Sequence, residues 1–380
     1  MSEGETLALR LQRIWWGERD APWGLRALSA AFGAAVRLRR AAYASGLLAR
    51  ERVGRPVIVV GNVTVGGSGK TPLVVWICEQ LAALGAHPGI VLRGYGGSAT
   101  RGSAALLVTP AADAAEAGDE AVLLAQRTGR PVAVCRDRVR AARRLLQEGV
   151  DVIVADDGLQ HLRLARDLEL AVVDARRGLG NRRLLPAGPL REPAARLAQV
   201  DVVVVNGADA RVAGGAEGGP ARRSLPASLP AALSVSLPAA LPCLHMWLQG
   251  DRLAPLGERG SPGPPRSPEP ATTLASLASR RLAVHAVAGI ADPERFFQQL
   301  RCAGLELISH PFPDHHRYRR EELAFGDGLP VLMTEKDAVK CRSFGLVDAW
   351  YLPVAASFPP EQERALRERL RQVLVQFARR

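Results

Sequence analysis

Sulfur and aromatic rings are scarce in this chain. Its five cysteines, Cys78, Cys135, Cys243, Cys302 and Cys341, are odd in number, widely scattered and never spaced as Cys-x-x-Cys. A disulfide framework is excluded, and a reduced cytosolic compartment fits. Aromatic residues make up 5% of the chain and are few beyond residue 50, so no stacking platform for single-stranded nucleic acid is apparent. Long apolar runs are missing too. The longest uncharged N-terminal run, Ala27 to Val36, is about half of the ~20 residues that a membrane span needs, and no cleavable signal peptide is evident. Acidic side chains are the minority charge, 38 against 50 basic ones, for a net +12. Most of the basic residues are arginine, which suits anionic surfaces or phosphorylated substrates.

What is present centres on Pro56 to Pro72, PVIVVGNVTVGGSGKTP. Pro56 to Val60 reads as a fully buried strand, and Leu73 to Leu84 as a helix. Strand, glycine loop, helix is the order that a phosphate cradle requires. Gly66, Gly67 and Gly69 let successive backbone N–H groups of Thr64, Val65, Ser68 and their neighbours turn toward anionic oxygens. Lys70 then reaches the β- and γ-phosphates of a nucleotide, and the Thr71 hydroxyl ligates Mg²⁺. One position departs from the usual loop, since Thr64 stands where glycine is the rule. A glycine-rich turn joining strand to helix is the plainer alternative.

Further strands follow at Gly89 to Leu92, Pro131 to Val134, Asp151 to Ala155, Glu169 to Val173 and Val200 to Val205, alternating with helical sequence. That alternation predicts a parallel, doubly wound α/β sheet with right-handed crossovers. The Arg93-Gly94-Tyr95 loop falls at the carboxyl edge of the sheet, where ligands bind in such folds. Asp151 to Ala155 runs directly into Asp156 and Asp157, the arrangement in which an acid holds Mg²⁺ directly or through water. An Asp-Gly turn accounts for Asp157 but not for Asp156. Ala115 to Arg127 reads as a helix with Asp119 near its start, where an acid is ordinarily a cap or a macrodipole partner.

Residues 1–50 interleave Trp15, Trp16, Trp23, Phe32 and Tyr43 with arginines on largely helical sequence. They suit a helix lying on an anionic bilayer, or one packed on the domain behind it. Residues 51–206 form the nucleotide-binding core. Residues 207–280 are an insertion or linker in which Leu244 to Leu256 predicts a small β-hairpin around Gly250-Asp251. Residues 281–380 form a second, smaller α/β lobe, closing with a helix over 361–378 whose apolar stripe is Leu366, Leu370, Val373, Leu374 and Phe377.

The runs GNVTVGGSGKTP, RGYGG, GDE, DDGLQH with LARDLEL, LPAGPLRE and MTEKDAVKCR together closely resemble the tetraacyldisaccharide 4'-kinase family. The resemblance spans the chain from about Trp15 onward, apart from stretches near 207–240 and 260–270, and Thr64 is normal within it. It implies a P-loop NTPase-like fold and transfer of the ATP γ-phosphate to the 4'-hydroxyl of a tetraacyldisaccharide 1-phosphate, forming lipid IVA in lipid A biosynthesis. It also implies Mg²⁺, an acylated disaccharide lipid as partner and a peripheral place on the anionic cytoplasmic face of the inner membrane; the scattered arginines and few aromatics argue against nucleic acid, and a monomer is the expectation although the sequence does not give the oligomeric state. By the same resemblance Asp119 and His315 act together, the carboxylate taking the proton of the attacking hydroxyl, while Asp156, Asp157 and Glu192 are the Mg²⁺ neighbourhood. Gln160, His161 and Arg191 match further motif positions.

Overall fold

Continuous runs of β-branched residues, with no alternation of polar side chains, form strands that are buried on both faces, as parallel sheets require. The computed structural model describes residues 7–17, 19–98, 102, 104–207, 238, 240–257 and 272–379. Most of the expected insertion, 208–237, 239 and 258–271, lies outside the described residues, as do residues 1–6 of the N-terminal segment.

In chain order the helices are α1 (Leu7–Trp15), α2 (Trp23–Ala44), α3 (Lys70–Ala83), α4 (Ala114–Ala117), α5 (Asp119–Thr128), α6 (Arg138–Leu146), α7 (Leu274–Ser279), α8 (Pro293–Cys302), α9 (Glu335–Cys341) and α10 (Pro360–Ala378). The strands are β1 (Val57–Gly61), β2 (Pro88–Leu92), β3 (Leu106–Val108), β4 (Val132–Val134), β5 (Val152–Asp156), β6 (Leu168–Asp174), β7 (Val202–Asn206), β8 (Cys243–Gln249), β9 (Ala254–Pro255), β10 (Ala283–Ala288), β11 (Glu306–Pro311), β12 (Val331–Thr334), β13 (Ala349–Leu352) and β14 (Ala355–Ser357).

These elements fall into two compact units that do not follow the linear order expected from the sequence. The first lies within Met1–Gly89, Gly149–Leu248 and Ala356–Arg380, the second within Ile90–Glu148 and Gln249–Ala355. In the first unit the order β8-β7-β6-β1-β5 is parallel throughout, with β1 at Val57–Val60 in register with Ile153–Asp156 of β5. All five residues of β1 are buried. The C-terminal helix α10 belongs to this unit and not to the smaller lobe: Arg367 Nε donates to Gln80 Oε1 at 2.8 Å, and Phe358, just before the helix, packs on Trp76 at 5.0 Å. Its stripe is as expected, with Leu366, Leu370 and Val373 buried, each worth about 1.5–3 kcal/mol in transfer energy.

The second unit holds β2 and β3 against β4, parallel and antiparallel respectively, and a further sheet in the order β11-β10-β12-β13-β9. Helix α5 packs on α9, where Arg127 Nη1 meets the Glu335 carboxylate at 3.0 and 3.1 Å. That junction joins the last turn of α5 to the first turn of α9, two helices far apart in sequence.

Three expectations need correction. The segment Leu244 to Leu256 is not a hairpin: β8 adds parallel to β7, whereas β9 pairs antiparallel with β13. Period-two alternation identifies a strand but not its partner. Helix α3 begins at Lys70 and not at Leu73, which puts the Lys-Thr pair in its first turn. The single helix expected over 115–127 is broken at Gly118, which has φ +93° and whose missing Cβ would sit 2.8 Å from the Tyr95 carbonyl oxygen. Asp119 is therefore the first residue of α5.

Candidate active site

The phosphate loop is held by two neighbouring segments of the first unit, Pro189–Arg191 and Asn206. Val65 N donates to the Pro189 carbonyl at 2.8 Å, Arg191 N to the Val63 carbonyl at 2.7 Å, and Thr64 bridges antiparallel to Leu190. Thr64 thus sits in a short ladder of extended backbone, where a β-branched residue fits and glycine has no advantage. Gly69 is different. At φ +87° it caps α3, and a Cβ there would fall 2.2 Å from Asn206 Nδ2. Asn206, at the end of β7, donates to the Ser68 carbonyl at 2.9 Å, and Asn62 donates to the Gly66 carbonyl at 3.4 Å.

Two observations test whether this loop suits a polyphosphate. No side chain caps the N-terminus of α3, and Ser68 Oγ is buried without a hydrogen-bond partner. Uncapped N–H groups at the positive end of a helix, beside a buried free hydroxyl, are the donors that phosphate oxygens satisfy. Lys70 Nζ lies 3.5 Å from Asp157 Oδ1, and Arg191 Nη1 donates to both oxygens of the same carboxylate at 3.0 and 2.8 Å. Asp156, at the end of β5, is buried. Among the described residues no three His, Cys, Asp or Glu side chains gather as a metal cage. Magnesium held largely by phosphate oxygens needs only one or two carboxylates, a number that Asp156 and Asp157 could supply beside Thr71.

Glu192, expected beside the metal, has other commitments. It is buried, pairs with Arg40 of α2 at 2.5 Å, accepts from Gln160 Nε2 at 2.9 Å and lies 3.6 Å from Arg196 Nε. Gln160 also donates to the Asn62 carbonyl at 3.0 Å, so it clamps the end of β1 to Glu192. His161 contributes its backbone carbonyl, which accepts from Arg166.

The second unit carries a separate acid-base cluster. Asp119 is 6% exposed, and its Oδ2 accepts from His315 Nδ1 at 3.0 Å across 196 positions of sequence. Tyr95, 65% exposed, packs its ring 5.2 Å from that of His315. Arg93 is exposed. The neighbouring His316 faces Glu322 at 3.2 Å, outside this cluster.

Lys336, from the first turn of α9, was not singled out by sequence reasoning. Its Nζ lies 3.2 Å from Glu120 Oε1, 3.4 Å from Asp314 Oδ1, 3.4 Å from His315 Nε2 and 4.0 Å from Asp119 Oδ2. An ammonium can only donate. Facing Nε2 it therefore favours the tautomer in which His315 carries its proton on Nδ1, toward Asp119.

Burial pushes the Asp119 carboxyl up, but the His315 hydrogen bond and the Lys336 charge outweigh it and leave it below the ordinary carboxylate value. The bond to Asp119 raises His315 against opposing burial and the Lys336 charge. Burial alone would lower Lys336, yet Glu120, Asp119 and Asp314 hold it above the ordinary lysine value, so it stays charged. The only sequence signals for Lys336 were its MTEKDAVKCR run and its place just after an apolar strand. Asn206 had the same second signal, a strand of valines running into a polar residue at the carboxyl edge.

Known proteins resemble this chain over nearly its whole length. The family model described as Tetraacyldisaccharide-1-P 4'-kinase matches residues 21–374. A tetraacyldisaccharide 4'-kinase of Alkalilimnicola ehrlichii is 48% identical over 93% of this chain and 94% of its own length, and one of Azoarcus sp. is 50% identical over 90% of each. The crystal structure of LpxK from Aquifex aeolicus, described as in complex with ATP, is 24% identical, covers 92% of this chain and 98% of that one, and superposes with a TM-score of 0.69, which shows a shared fold. The chain belongs to the tetraacyldisaccharide-1-P 4'-kinase family.

Proposed function

We propose that this chain transfers the γ-phosphoryl group of ATP to the 4'-hydroxyl of a tetraacyldisaccharide 1-phosphate, a step of lipid A biosynthesis. The observation that carries the reading is the buried Asp119–His315 pair, in a chain of this family that also presents an uncapped helix behind a glycine loop. A sugar hydroxyl is a poor acid, and a positioned base contributes about 10²–10⁴-fold to its reaction. Asp119 accepts the proton of the acceptor hydroxyl through its carboxylate. As the acceptor oxygen bonds to the γ-phosphorus, the bond from that phosphorus to the β–γ bridging oxygen breaks and ADP departs.

His315 holds Asp119 by its Nδ1–H, and Lys336 holds His315. Lys70 and Arg191 place positive charge where the transferring phosphoryl group needs it, and the N–H groups at the start of α3 hold its oxygens. Thr71, with Asp156 and Asp157, would hold the Mg²⁺ of the nucleotide, which supplies neutralisation of the β- and γ-oxygens when bound. Glu192 with Gln160 keeps β1 and the loop in place.

The acceptor's acyl chains require the enzyme to work at a membrane surface. Among the described residues no helix is long and apolar enough to cross a bilayer. Trp15 and Trp16 are engaged with the protein: Trp15 Nε1 donates to the Pro186 carbonyl at 2.8 Å, and Arg177 lies over the Trp16 ring at 5.0 Å. In this segment the exposed large apolar side chains are instead Trp23, Leu28 and Leu38 on α2 and Leu47 and Leu48 just after it. Beside the arginines of α2 they suit peripheral contact with the anionic cytoplasmic face of the inner membrane.

Incubation with γ-labelled ATP, Mg²⁺ and the acylated disaccharide monophosphate in detergent tests the reading. Label is expected in the lipid. Label that stays in ATP or appears only as inorganic phosphate would overturn it.

A further inference from the structure

Several arginines of the first unit have acids beside them. Arg40 meets Glu192, Arg191 meets Asp157, and Arg166 and Arg196 share Glu169. Four others stand apart. Arg26 and Arg37 from α2, with Arg182 and Arg183 from the turn before Leu184, line a cavity of about 340 Å³ in this unit. Among the described residues, none of their guanidinium groups has a carboxylate partner.

The walls of this cavity are built. Ser29 Oγ donates to the Leu184 carbonyl at 2.8 Å, and Gly33 approaches Leu184 so closely that a Cβ there would lie 2.7 Å from Leu184 Cδ1. The loop is tied to itself by Leu185 N to the Leu190 carbonyl, Leu190 N to the Arg183 carbonyl and Gly188 N to the Leu184 carbonyl. Arg182 is held in the left-handed region at φ +59°. The cavity lining also includes Gly33, Leu184 and Leu190. Four exposed guanidinium groups around one concavity keep their donors open to an anion, and planar guanidinium forks match the oxygens of a phosphate. The exposed apolar side chains Leu28 and Leu38 lie on the same helix as Arg26 and Arg37.

We propose that this cavity is a receptor for the phosphate group of a lipid headgroup. The assignment rests on the lipid-kinase reading above. Its two sources are the 1-phosphate of the acylated acceptor and a phospholipid of the bilayer, and the chemistry of recognition is the same for both.

The test uses the full chain with one arginine removed from each wall, Arg37→Gln together with Arg183→Gln, and the paired lysine variant Arg37→Lys with Arg183→Lys as a control that keeps charge. Neither pair touches the phosphate loop or Asp119, and an unchanged thermal midpoint certifies folding. Two acceptors are compared in neutral detergent: the tetraacyldisaccharide 1-phosphate and the same disaccharide with a free 1-hydroxyl. Binding to phosphatidylglycerol and to phosphatidylcholine vesicles is measured beside them.

The glutamine pair is expected to lower kcat/KM on the phosphorylated acceptor by about 10- to 100-fold, with the KM for ATP and the rate on the free-hydroxyl acceptor unmoved and partial recovery in the lysine pair. That outcome assigns the phosphate to the acceptor. Selective loss of phosphatidylglycerol binding, with both acceptors treated alike, assigns it to the bilayer. If acceptors and vesicles are both indifferent to the substitutions, the cavity is not a phosphate receptor. A wild-type chain that labels neither acceptor would instead defeat the kinase reading, and vesicle binding would still report on the cavity.

Discussion

The phosphate loop and the Asp119 cluster are built in opposite ways. The loop draws its parts from one run, Asn62 to Thr71, with braces from Pro189, Leu190 and Asn206. The cluster draws on Tyr95, Asp119, His315 and Lys336, which come from two loops and from the packed helices α5 and α9. A run that makes its own geometry from backbone N–H groups can be recognised wherever it occurs. A cluster of side chains from separate elements exists only when the tertiary fold is complete. The first tolerates change at its braced positions, as Thr64 shows, whereas the second depends on each member to orient the next.

Substitutions at Asp119 put the largest effect on this contrast. Asp119→Ala should lower kcat by about 10²–10⁴-fold while the KM for ATP stays nearly unchanged. Turnover at the wild-type rate would remove Asp119 as the base. Lys70→Ala should cost about 10²–10³-fold, because one preorganised charge on the transferring group is lost, and it should also weaken nucleotide binding. Normal ATP affinity together with a normal rate would break the phosphate-loop assignment.

Lys336 probes whether the cluster works as a chain of orientation. Lys336→Met should reduce kcat by about tenfold with little change in either KM, a modest cost expected of a residue that acts through another. Lys336 lowers both Asp119 and His315. Its removal should therefore move the acid limb of the pH–rate profile to higher pH. A variant with reduced rate and an unmoved acid limb would make Lys336 merely structural.

The contrast also explains how much was legible in advance. The parallel sheet could be read because β1, β5 and β7 are uninterrupted apolar runs. The nucleotide loop could be read because Gly66, Gly69 and Lys70 are adjacent in sequence. Asp119 and His315 were named through the family resemblance, since an acid in a first helical turn is ordinarily a cap. Lys336 and Asn206 escaped because each follows an apolar strand and acquires its role only from partners in other segments: His315, Glu120 and Asp119 for Lys336, and Ser68 for Asn206. The supposed hairpin at 244–256 failed for a related reason: alternation reports which faces are buried, while pairing is decided by the rest of the chain. Glu192, named beside the metal through the family resemblance, also pairs with Arg40 and Gln160, partners that are set by the approach of α2 and of the turn after β5.

The smallest effect concerns stability, and its sign follows from the two ionisations. Asp119 has a folded value below its ordinary 3.8, so its contribution is present above pH 3.8 and is lost as pH falls through that lowered value. His315 has a folded value above its ordinary 6.5, so its contribution is fully present below pH 6.5 and is lost as pH rises through that raised value. Both contributions coexist between pH 3.8 and 6.5. Asp119→Ala removes its own ionisation and the hydrogen bond that is the largest cause of the His315 shift. The wild type should thus melt above the variant by a margin of roughly 2–4 °C per kcal/mol lost, greatest within that window and shrinking as pH rises through the folded value of His315. Thermal midpoints for the two proteins from pH 4 to pH 9 measure that margin directly. A margin independent of pH would mean that Asp119 and His315 contribute packing alone, and the orientation chain from Lys336 through His315 would lose its electrostatic basis.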